Sequence, residues 1–279
     1  MTKCLCAAIS KHIVVATELV LGDFLNTLIR LFLVVTLCCF FTLSQLSDAK
    51  EIEVGLEPFP PLVNEDGSGL VIDMLNTIST NNNLYFNFHI MTYGRAKREL
   101  ESKRLQLIGL TPYQLETQQF YEYATELNWH INTYVDFFSL NKSFFDIDEL
   151  PDGSIGTLIG NADFFSEIID VPAIKFVEVS SIEQLVKMLA LGRLNVILFE
   201  RVSIMSTIKK LAVENIYYKN MGIVPASLAV ANTQQGIKLK TQLDKLLIQL
   251  DHQQHFSRFI NYTAKDDDGK VTIDNNSSL

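Results

Sequence analysis

Apolar residues along this chain alternate in some stretches and recur at helical spacing in others, so the pattern switches repeatedly between strand and helix periods. Glu51 to Leu56 alternates as a strand and runs into the rigid Pro58-Phe-Pro-Pro61 and the turn-rich Asn64 to Gly69. Val71, Ile72, Leu75 and Ile78 then fall on one helical face, and Asn81 to Asn83 ends that helix before a second strand, Leu84 to Ile90. A short helix around Ala96 and Leu100 and a strand from Leu105 to Leu110 complete a strand–helix alternation. Such alternation predicts α/β architecture with a mostly parallel sheet.

After Trp129 the rhythm changes. A long extended run from Ile131 to Leu140 leads into a second set of signals: strands at 154–159, 174–179 and 194–199, and helices at 162–169 and 182–189. Ser180 or Ser181 is placed as the cap of the second of these helices, with Glu183 as its capping-box partner. Another extended run, 222–232, precedes a final helix with Leu239, Leu243, Leu246, Leu247 and Leu250 on one face. Two lobes are expected, one from 50–133 plus 225–264 and one from 134–224, joined by crossing strands at 131–140 and 222–231 and followed by a loose tail at 265–279.

Upstream, Arg30 precedes an unbroken apolar stretch, Leu31 to Leu43, and Ser47-Asp-Ala49 supplies the small residues of a cut site. That is the pattern of a secretory signal peptide over residues 1–49, too short in its apolar core for a membrane span, with cleavage expected after Ala49. All four cysteines (Cys4, Cys6, Cys38, Cys39) lie before the cut, so the mature chain folds without disulfides and depends on a large core. The formal net charge of -9 argues against nucleic acid or anionic lipid as partner.

These elements in this order resemble the extracellular solute-binding proteins of family 3, the periplasmic receptors that deliver polar amino acids to ABC importers. The resemblance is carried by Glu51 to Pro61, by Gly69-Leu-Val-Ile-Asp73-Met, by Arg95-Ala96 with Leu100, by Leu189 to Asn195 and by the closing helix. It implies a two-lobed periplasmic-binding-protein fold of type II, a small polar solute held between the lobes, an ABC permease as partner, a monomer in the periplasm of a Gram-negative bacterium, no cofactor and no catalysis. It further implies aromatic walls at Phe59 and Tyr93 and backbone and hydroxyl donors at Gly109 and Thr111, while Arg95, close to Tyr93 in the chain, carries a guanidinium able to grip a carboxylate in place of the family's arginine. Asn161 and Ala162 would offer helix-start amides, and Glu200 would pair with an ammonium. Thr117 stands where the family carries its carboxylate-binding arginine, and Gln106 and Asn195 replace family aspartates, so the solute need not be a standard amino acid.

Two alternatives share this fold: a dehydratase using Glu200 with Arg95 and His130, and a ligand-sensing domain. The sequence offers no Gly-x-Ser-x-Gly elbow or phosphate loop, His252 and His255 lack a third metal ligand nearby, and Asp266 to Gly269 does not satisfy a calcium loop.

Overall fold

A computed structural model describes Phe32 and residues 50–257, 259–260 and 266–272. The expected signal peptide therefore falls outside the described residues, apart from Phe32.

The first lobe is built on strands β1 (Lys50–Leu56), β2 (Leu84–Ile90) and β3 (Leu107–Pro112), with helices α1 (Leu70–Asn82) and α2 (Tyr93–Glu101) making the crossovers. β1 lies between β2 and β3 and runs parallel to both. Ile52, Val54 and Leu56 are fully buried, as expected of a strand with a parallel neighbour on each side. α1 stops where the asparagine run predicts: Asn83 takes the left-handed conformation at φ 50°, which asparagine tolerates better than most residues.

The second lobe mirrors the arrangement with β5 (Ile155–Leu158), β6 (Phe176–Val179) and β7 (Val196–Glu200), β5 lying parallel to both others. Its helices are α4 (Ala162–Ile168), α5 (Ile182–Ala190) and α6 (Arg201–Lys210), while α3 (Gln118–Tyr123) and α7 (Gln234–Leu247) belong to the first lobe's side of the chain. Ser181 caps α5 by accepting from the amide of Gln184, which makes Gln184 and not Glu183 the third helical residue; Glu183 instead pairs with Lys187 at 2.6 Å.

Two long strands cross both lobes. β4 (Ala124–Ser139) and β8 (Tyr217–Ala231) pair antiparallel from Ala124↔Ala231 to Ser139↔Tyr217, with irregularities between Glu126 and His130 and between Val135 and Asp136. The sheet order β2-β1-β3-β8-β4-β7-β5-β6 is continuous through this pair. Both strands begin earlier than the apolar runs that announce them, because Glu126 and Lys219 occupy ladder positions without contributing to an apolar pattern. The tail is not wholly loose: β9 (Asp268–Lys270) adds antiparallel to β8 at Tyr217–Lys219. An acidic, glycine-bearing segment gives no strand signal, but the unpaired edge of β8 supplies the backbone partners.

Where β4 bends, Asp136 accepts two hydrogen bonds from Arg201 at the start of α6, Nε–Oδ2 2.6 Å and Nη2–Oδ1 2.9 Å, both side chains fully buried. Tyr134 and Tyr218 flank the guanidinium at 4.9 and 5.4 Å, and Asn220 from β8 donates to the same carboxylate at 2.8 Å. One carboxylate thus ties β4, β8 and α6 together. Removing a single partner of a buried, bidentate pair strands the other charge. Asp136→Asn is expected to lower unfolding stability by about 3–5 kcal/mol, measured by urea titration.

Candidate functional site

β1 delivers the chain to Glu57 and Phe59, β3 to Thr111, and β7 to Phe199 and Glu200, all at the carboxyl ends of parallel strands where open α/β sheets present their ligand-binding residues. These residues, with Asn161 at the start of α4, line a cavity of about 30 Å³ between the lobes. Phe164 and Phe165 close one side, and Thr133, Val135, Val224 and Ala226 of the crossing strands form the floor. At this volume the cavity has room for roughly two water molecules.

The lobes meet directly around it. The amide of Gly94 donates to the carbonyl of Ile159 at 3.0 Å, Lys97 Nζ to the carbonyl of Gly160 at 2.9 Å, Asn161 Nδ2 to Glu57 Oε1 at 3.1 Å, and Ser203 Oγ to the carbonyl of Pro60 at 2.9 Å. The rings of Phe59 and Phe199 touch at a centroid distance of 5.5 Å. Gly160, at φ 99°, comes so close to the first lobe that a Cβ on it would stand 2.2 Å from the nitrogen of Gly94.

No family model and no curated relative matches the chain. Solved structures do. An ancestral arginine-binding protein bound to glutamine aligns with a TM-score of 0.62 and 16% identity, covering 77% of this chain and 98% of that one. An amino-acid ABC transporter substrate-binding protein from Streptococcus pneumoniae bound to L-arginine gives 0.60 and 15%, covering 76% and 94%. A histidine kinase sensor domain with similarity to periplasmic binding proteins gives 0.61 and 13%, covering 80% and 97%. The chain has the two-lobed periplasmic-binding-protein fold. The cavity is its interlobe cleft in a closed arrangement.

Four of the residues expected from the sequence come together in that binding-protein cleft: Phe59, Thr111, Asn161 and Glu200. Gly109 lies just behind, its carbonyl accepting from the amide of Glu57 at 2.9 Å. The others do not line it, although the backbone amide of Tyr93 donates to the Glu57 carboxylate. Tyr93 is fully buried and donates its hydroxyl to Glu116 at 2.8 Å, with Lys97 over its ring. Arg95 is exposed beside Glu99, 3.8 Å away on the same helix. Thr117 caps α3, its hydroxyl accepting from the amide of Phe120. Ala162 is buried with its amide bonded to Glu178 at 3.1 Å, and the Gly160 amide bonds to the same oxygen at 2.7 Å. His130 is exposed and stacked on Tyr113, so the trio Glu200, Arg95 and His130 is not assembled.

Sequence reasoning passed over Glu57, Phe164, Phe165 and Phe199. Glu57 had a usable signal, since it follows the buried end of β1 just as Glu200 follows β7. The phenylalanines read as ordinary core, which most of their surface is.

The electrostatics centre on the two acids. Burial raises the Glu57 carboxyl to about 8, against the opposing pull of Asn161, the Tyr93 amide and the charge of Lys97, with Glu178 adding to the rise. Burial likewise raises Glu200 to about 7, although the amides of Ser203 and Val202 stabilise its charged form and Asp136 works the other way. Thr111 Oγ1, fully buried, has no hydrogen-bond partner. Because both acids titrate above the ordinary 4.5, their neutral forms stabilise the fold at low pH, and that contribution fades as pH rises through about 7 and 8. The urea midpoint is expected to fall from pH 5 to pH 9. Glu57→Gln, which cannot ionise, should reduce the loss of unfolding free energy by roughly 1.4 kcal/mol per pH unit between pH 5 and about 8, with no further difference above that.

Proposed function

We propose that this protein is a periplasmic receptor that captures a small polar solute between its lobes as a monomer and presents it to an ABC importer, without chemical turnover. The observation that carries this reading is a cleft containing two buried carboxyls and an unpartnered hydroxyl, closed over by hydrogen bonds that run from one lobe to the other. Closure of that kind excludes water from the solute's hydrogen bonds and turns occupancy into a change of shape. The fold's solved neighbours include proteins named as amino-acid transporter binding proteins, which supports the transport role.

Because the interlobe bonds are satisfied within the chain, a ligand-sensing role is the second reading, and one neighbour is named as a kinase sensor domain. Both readings need the same clamp. A bound solute should raise Tm, with a gain of about 2.7 kcal/mol at one hundred times Kd, and leave the solute chemically unchanged. Gly160→Val places side-chain atoms against Gly94 and should hold the lobes apart, enlarging the radius of gyration in small-angle scattering and abolishing the thermal shift. Binding that is indifferent to this substitution would reject the clamp.

A further inference from the structure

The cleft has acids but no base. Among the described residues that line it, no lysine, arginine or histidine is present. The nearby cations are committed: Arg201 to Asp136, Lys97 to Glu116 at 3.4 Å and the Gly160 carbonyl, and Arg95 lies outside beside Glu99. The backbone amides that would suit an anion are also taken. Glu178 accepts from Gly160 and Ala162, and Glu200 from Val202 and Ser203. A guest carrying a carboxylate would therefore sit against two acids in a desolvated space with no counter-charge.

A positive guest meets the opposite situation. A cation beside Glu57 offsets the burial penalty on its charged form, and Thr111 Oγ1 gains the donor it lacks. The rings of Phe59, Phe164, Phe165 and Phe199 line the same cavity, and aromatic rings suit alkyl groups and positive charge alike. We infer that the captured solute is a small organic cation without a carboxylate, an alkylammonium or methylated ammonium, taken up with the lobes further apart than the closed cavity of about 30 Å³ allows, its charge held by Glu57 and Glu200 and its alkyl groups by the four phenylalanines. This rests on the solute-capture reading and narrows it.

The test uses the purified protein, thermal-shift and calorimetric titration, and defined probes: methylammonium, tetramethylammonium and choline, the uncharged carbon analogue of choline, and glycine, L-alanine and L-arginine. The cations are expected to raise Tm and bind saturably, while the uncharged analogue and the three amino acids bind at least about tenfold more weakly. Glu57→Gln should weaken choline by at least about tenfold. Thr111→Val should weaken methylammonium but not tetramethylammonium, which has no N–H to donate. The comparison of choline with its neutral analogue needs no variant, so it stands even if a substitution fails to fold. Equal binding of that pair, or stabilisation by amino acids and not by cations, overturns the inference and leaves solute capture standing. If no probe of either kind shifts Tm or alters the scattering profile, solute capture falls with it.

Discussion

The antiparallel pairing of β4 with β8 is the constraint on which the rest of the structure depends. A single hydrogen-bonded ladder belongs to both lobes, so each lobe's sheet is an extension of the same two strands. Because both lobes share this ladder, opening breaks the interlobe bonds around the cleft while the crossing strands stay paired, and the bend falls where their pairing is irregular, beside Glu126 to His130 and at Val135 and Asp136. The cleft floor lies on these strands, and the bound pair Asp136–Arg201 stiffens the ladder on the second-lobe side of the bend. Rigidity beside a bend gives a hinge a defined axis.

Over this hinge the protein keeps two carboxyl groups in conditions that favour their neutral forms. Neither acid is idle in the closed arrangement: Glu57 receives the interlobe bond from Asn161, and Glu200 caps α6 through Val202 and Ser203. The same carboxyls therefore serve closure, helix termination and the polarity of the cleft. Their desolvation is a cost carried by the fold at neutral pH and relieved by any partner that brings positive charge, a common sign of a site shaped for something other than stability.

The fold was legible in the sequence because periodicity reports burial: β3, β5 and β7 are buried along their whole length and most of β4 alternates. The crossing strands were only partly legible, since the polar residues at their outer ends contribute hydrogen bonds to the ladder and nothing to an apolar pattern. β9 was illegible for a related reason: its partner, and not its own composition, makes it a strand. At the site, residues fixed to strand ends, such as Thr111 and Glu200, could be placed from topology alone. Arg95 and Thr117 could not, because the direction of a side chain on a helix depends on how that helix packs, and a rotation of one position carries a guanidinium from a cleft to solvent. The occupation of the Gly160 and Ala162 amides by Glu178 required knowing that β6 runs beside β5, a fact of pairing that no local window contains.

The meeting of Gly94 and Gly160 acts as a mechanical stop. Two backbones at van der Waals contact cannot be compressed further, so the fully shut position is defined by main-chain atoms and is the same whatever occupies the interior. A guest larger than the space left at that stop holds the jaws ajar by its own excess, and the angle of the two halves becomes a gauge of molecular size.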